Sequence, residues 1–103
     1  MSRIEQIRAL IADEPHDAML RFALGNEHFQ LAQYAEAIEA LTAAIEIDPE
    51  YAFVYIQLAE AYEKSGRIEL ARQTVEAGRG PAVRNGDRNL MRQLDDIAAR
   101  LPA

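Results

Sequence analysis

Residues 18–49 read AMLRFALGNEHFQLAQYAEAIEALTAAIEIDP, and residues 52–83 read AFVYIQLAEAYEKSGRIELARQTVEAGRGPAV. Laid over each other with a shift of 34, the two stretches agree in size and polarity. Ala18 falls on Ala52, Leu20 on Val54, Leu24 on Leu58, Gly25 on Ala59 and His28 on Tyr62. Further along, Ala32 falls on Gly66, Tyr34 on Ile68, Ala37 on Ala71, Leu41 on Val75 and Ala44 on Gly78. A fixed period of this length marks a repeated supersecondary unit. Within each copy the apolar residues return every three or four positions, the spacing of a helix with one buried face. The pattern breaks midway, at Ala32-Gln33 and at Ser65-Gly66, so each copy reads as two helices joined by a tight turn. Gly66 can take the left-handed conformation that closes a helix. The first copy has no glycine there, and its turn is expected to be the less favourable one.

The prolines carry the same period outward. Pro15 and Pro49 are 34 apart, and each follows an acidic residue at the end of a helical run. Proline cannot continue a helix, and the residue before it avoids the helical region. The spacing predicts helices at about 3–13, 17–31, 34–47, 51–64, 68–79 and 87–101. Asp87, after Asn85-Gly86, suits the N-cap of the last helix. Gly78, Gly80 and Pro81 predict an irregular join, with a short helical turn starting at Pro81. The fold class is therefore all-α: a short α-solenoid of helical hairpins, about six helices in a single domain spanning 1–103. Its parts are an N-terminal helix (3–15), repeat one (17–50), repeat two (51–84, degenerate at its end) and a C-terminal capping helix (87–101).

Composition narrows the function. The chain has 103 residues, half of them hydrophobic, and a net charge of −6. Seventeen acidic against eleven basic residues argue against a nucleic-acid partner, which needs clustered Lys and Arg. The charge is uneven: residues 1–63 carry −9 and residues 64–103 carry +3, enough to steer a charged partner or favour contact between copies. There is no cysteine, hence no disulfide and no thiolate metal site. The N-terminus lacks an apolar targeting segment, and no run approaches the ~18 apolar residues of a membrane span. The expected location is the cytoplasm, with no membrane partner.

The paired stretches resemble the tetratricopeptide repeat, a pair of antiparallel helices, which implies that the α-solenoid is right-handed. The family's first helix favours Leu-Gly or Leu-Ala, here Leu24-Gly25 and Leu58-Ala59, and an aromatic, here Tyr62 but His28 in the first copy. Its second helix favours an apolar residue, Ala, a large apolar residue and a small one. These are Tyr34, Ala37, Leu41 and Ala44 in the first copy, and Ile68, Ala71, Val75 and Gly78 in the second. The first copy departs at Arg21, where a large apolar residue is usual. The second has Val83 where Pro49 predicts proline. Residues 3–15 look like the second helix of a preceding unit. The small residues sit where helix backbones must approach, and the large ones fill the spaces between. Ile4, Ile7, Leu10 and Ile11 close one end of the stack; Leu90, Leu94, Ile97 and Leu101 close the other, with a polar outer face.

No residue set points to catalysis. The hydroxyls outside tyrosine are Ser2, Thr42, Ser65 and Thr74, and the two histidines, His16 and His28, have no partner at metal-ligand spacing. The acids are patterned for solvent, Glu36 with Glu39 and Glu60 with Glu63 among them, and Gly78-Arg79-Gly80 is no phosphate loop. No catalytic, cofactor-binding or metal-binding residue is assigned, and the chain is expected not to be an enzyme. The resemblance implies instead a concave surface lined by the first helices. Its candidate partner-binding residues are Met19, Phe22, Asn26 and Phe29 from the first unit, and Phe53, Ile56 and Glu60 from the second. Family members that clamp a peptide carboxylate have Lys and two Asn where this chain has Phe22, Asn26 and Gln57, so only Asn26 fits that use. The strip suits the apolar face of a helix or an extended apolar segment of another protein. The alternatives are a homo-oligomer, such as a homodimer, using the same surface, or coverage of the strip by the chain's own helices.

Overall fold

The computed structural model describes residues 1–103 as six helices and no strand. They are α1 (Arg3–Asp13), α2 (Ala18–Gln30), α3 (Tyr34–Ile47), α4 (Ala52–Lys64), α5 (Ile68–Asn85) and α6 (Arg88–Arg100). Helices α2 and α3 form one hairpin and α4 and α5 the next, with α1 against α2 and α6 against both α4 and α5. The chain is an all-α stack of helical hairpins.

Local chemistry sets several of the helix starts. Ser2 makes a capping box on α1: the Glu5 amide donates to Ser2 Oγ at 3.1 Å, and the Ser2 amide to Glu5 Oε1 at 3.3 Å. Asp17 accepts from the Leu20 amide at 3.2 Å, and Asp87 from the Asn89 and Leu90 amides at 2.9 and 3.2 Å. The two hairpin turns have the same construction. The Gln33 amide donates to His28 O at 2.9 Å, and the Arg67 amide to Tyr62 O at 2.8 Å. Both turns pass through a left-handed residue: Gly66 at φ 80° and Ala32 at φ 58°. Alanine pays a steric cost there that glycine does not.

The core follows the small-on-large pattern. Ala37, Leu41, Ala44, Val54 and Leu58 form one cluster between the hairpins. Ala52, Ile56, Ala59, Val75, Ala82, Leu90, Leu94 and Ile97 form a larger one beneath α6. Gly78 is small because α4 crosses close to it: a Cβ there would lie 2.7 Å from Tyr55 Cβ. Leu24 and Leu58 share a repeat position but not an environment. Leu58 is buried, whereas Leu24 is half-buried beside a recess next to α1.

Helix α5 corrects the expectation of a helix ending near 79. It continues through Gly78, Gly80 and Pro81 to Asn85 and closes on Gly86 at φ 67°. Tertiary packing overrides the weak local propensity. Pro81 and Ala82 are buried, and Ala82 packs with Leu90 and Leu94. Arg84 grips the Glu50 carboxylate with two donors, the longer at 2.8 Å, and Asn85 Nδ2 donates to Glu50 O at 3.1 Å. The basic C-terminal half is thus partly neutralised inside the molecule: Arg84 takes Glu50, Arg100 takes Glu60 and Glu63, and Arg79 takes Asp95.

Candidate functional site

Helices α2, α4 and α6 follow one another across one face of the stack, α2 touching α4 and α4 touching α6. The caps fix the register. With α2 starting after Asp17, Met19, Phe22, Asn26 and Phe29 fall at helical spacing along one stripe. With α4 starting after Pro49, Phe53, Ile56, Gln57 and Glu60 do the same.

The front of this face is aromatic. The Phe22 and Phe53 rings meet edge to face with centroids 5.6 Å apart, and Phe22 also meets Tyr51 at 5.6 Å. Such pairs contribute beyond their buried area. Phe53 remains 46% exposed and Met19 69% exposed, so the cluster presents apolar surface to solvent. Phe22 and Phe29 are half-buried and lean on the Leu41–Val54–Leu58 cluster; Phe29 also packs edge to face on Tyr34 at 5.5 Å. Burial raises the pKa of the Tyr51 phenol above its ordinary value, and the neighbouring Asp17 and Asp48 carboxylates add to the shift.

Behind the aromatics lies an amide pair. Gln57 Nε2 donates to Asn26 Oδ1 at 2.9 Å, joining α2 to α4. Gln57 Oε1 is buried and has no partner. Asn26 is thus engaged by the residue that stands where a clamp would have its second asparagine.

The rear of the face is narrowed by α6 to a recess lined by Ile56, Glu60, Ile97 and Arg100. Ile56 is only 4% exposed there and packs in the core cluster with Leu94 and Ile97 of α6, so its part in any contact is small. Glu60 is half-buried and held by Arg100 of α6 at 3.7 Å. Glu63, read from the sequence as another solvent-facing acid, receives two donors from Arg100, each at 2.8 Å. The two carboxyls shift in opposite directions. Desolvation raises the pKa of Glu60, while the Arg100 hydrogen bonds lower that of Glu63. Glu63 and Arg100 are 37 residues apart and belong to different pattern elements, so no spacing rule pairs them.

Residues 28–88 match the sequence profile of the tetratricopeptide repeat. The chain belongs to that family. A TPR repeat-containing protein of Pseudomonas aeruginosa is 30% identical over 98 residues, covering 95% of this chain and 93% of its own. The solution structure of a Bordetella parapertussis protein superposes with a TM-score of 0.84 at 29% identity, over 98% of this chain and 88% of that one. The TPR2B domain of yeast Sti1, solved in complex with pHsp70, gives a TM-score of 0.82 at 25% identity, over 94% of this chain and 81% of that one.

Tetratricopeptide repeats are protein–protein interaction modules and in general not enzymes. In this tetratricopeptide protein His28 is buried, its Nδ1 2.7 Å from Gln33 Oε1 across the first hairpin turn. His16 is exposed. No group of three or more His, Asp or Glu side chains is placed to hold a metal ion, and no helix is long and apolar enough to cross a membrane.

Proposed function

We propose that the chain binds a segment of another protein on the front of its concave face, with Met19, Phe22 and Phe53 as the apolar anchor and Asn26 and Phe29 beside it. The observation that carries this is the Phe22–Phe53 pair. Two adjacent first helices bring their rings together while leaving Phe53 and Met19 open to solvent. An exposed apolar patch with a polar surround is the usual mark of a docking surface. The Sti1 domain, of the same fold and solved with a bound partner, supports the reading. Glu60 would serve at the edge, as the partner of Arg100, and Ile56 from below, as the floor of the core. On this reading 17–50 and 51–84 are the repeat units of one domain, 3–15 its N-terminal helix and 87–101 its closing helix.

The test uses Phe53→Asp and Met19→Asp, because both side chains are exposed and circular dichroism should be unchanged. Phe22 is unsuitable, since it supports the core. Proteins captured from lysate by the wild type and lost by both folded variants support the proposal. Retention by both variants rejects it. A homo-oligomer through the same patch would show instead as a mass in ultracentrifugation that rises with concentration and falls in Phe53→Asp.

A further inference from the structure

The opposite face carries a second opening that the repeat pattern does not announce. Helices α3 and α5, the second helices of the two hairpins, are not packed against each other. Between them lies a cleft of about 310 Å³, floored by Leu58 and Tyr62 of α4 and walled by Ile45 and Glu46 of α3 and Leu70 and Ala77 of α5. Its surface is mainly apolar, and Leu70 at its rim is 42% exposed. Of the four hydroxyl side chains in its lining, Thr42, Tyr55, Tyr62 and Thr74, two are already used. Thr74 Oγ1 donates to Leu70 O at 2.7 Å, and the Tyr55 hydroxyl donates to Pro49 O at 2.8 Å.

Charge distinguishes the two walls. Helix α3 contains no Lys or Arg, and Glu46, the one carboxylate in the cleft's lining, has no ion-pair partner. The α5 wall is compensated, with Glu69 paired to Arg72 and Glu76 to Arg79. An occupant therefore meets an apolar floor and a negative rim on one side only.

We propose that this cleft is a second docking site, for a polypeptide segment that offers one large aliphatic or aromatic side chain flanked by Lys or Arg. The apolar side chain fills the cleft, and the cation lies toward α3, where the Glu46 carboxylate is free. This surface is separate from the Met19–Phe53 patch, so the chain can hold two segments at once.

The experiment titrates two fluorescein-labelled synthetic helical peptides by anisotropy, one of Leu and Lys and one with the same leucines and Glu for Lys. The Leu/Lys peptide should bind about tenfold or more tightly than the Leu/Glu peptide, and more weakly as salt rises. Thr42→Leu with Ala77→Leu, which fills the cleft from two exposed positions, should abolish binding. Glu46→Gln, which leaves packing untouched, should weaken it about threefold or more. Glu76→Gln and Phe53→Asp should leave it unchanged. Equal binding of the two peptides, indifference to the filled cleft, or loss in Phe53→Asp would each overturn the proposal. So would a concentration-dependent mass abolished by filling the cleft, which would make the occupant a second copy of the chain.

Discussion

The two hairpins are built from one pattern, yet they present different surfaces. Beside the first, Met19 stays exposed together with Phe53 of α4, whose ring packs on the half-buried Phe22. Over the second, α6 lies on α4, buries Ile56 and holds Glu60 and Glu63 through Arg100. The repeat thus sets which residues face the groove, but the next helix decides which of them remain available. A residue at a groove position is a candidate contact only until its neighbour is known.

The sharpest way to break this difference is to loosen α6. Leu94, on its inner face, is fully buried. Leu94→Ala should cost about 2–5 kcal/mol by transfer and cavity terms, and it should increase hydrogen exchange in α6 and at Ile56 more than in α2 and α3. Uniform destabilisation of both hairpins would show that they do not differ in this way.

A next contrast lies within α5. Gly78→Ala places a Cβ 2.7 Å from Tyr55 Cβ, which cannot swing aside, so a loss of about 1–3 kcal/mol in denaturant melts is expected. Gly80→Ala meets only the guanidinium end of Arg84 at 3.1 Å, which can move, and should gain up to about 1 kcal/mol from helix propensity.

The hairpin turns give a paired test. Ala32 and Gly66 both have positive φ, and a Cβ on Gly66 would meet nothing within 4 Å, so only backbone strain is at issue. Ala32→Gly should stabilise by about 0.5–1 kcal/mol, and Gly66→Ala should destabilise by about 1 kcal/mol. Equal effects of the same sign would refute the equivalence of the turns.

The smallest effect concerns the Arg100 clamp. The lowered pKa of Glu63 means that its ion pair stabilises the fold above the ordinary carboxylate range and that this contribution is lost as pH falls through the lowered value. Glu60, with a raised pKa, acts oppositely: its penalty grows as pH rises through the raised value. Arg100→Ala should therefore cost under about 1 kcal/mol at neutral pH, and the difference from wild type should vanish in acid. A difference that persists below the carboxylate range would mean that Arg100 acts through packing.

Most of the architecture was legible because it rests on local periodicity. The starts and ends of α2, α3 and α4 follow from Asp17, Pro49 and the turn at Ser65-Gly66, and the strain at Ala32 was visible as a missing glycine. The extension of α5 was not legible. Gly78, Gly80 and Pro81 are weak helix formers, and only the burial of Ala82 and the bond from Arg84 to Glu50 hold that stretch helical. That Phe22 and Phe53 share a face was implied by the family resemblance, which sets the first helices side by side; that their rings meet while Phe53 stays exposed is a matter of packing. The closure at Ile56 and the cleft between α3 and α5 depend on how far neighbouring helices stand apart, which no spacing encodes.

By itself the sequence determined the repeat, the six helices and the faces they turn inward, because these depend on residues within a few positions of each other. Only the tertiary structure decided which inward positions stay open, which acids are taken by Arg100 and Arg84, and where the second helices part. Those outcomes join residues more than thirty positions apart, and their energies come from burial and pairing in space.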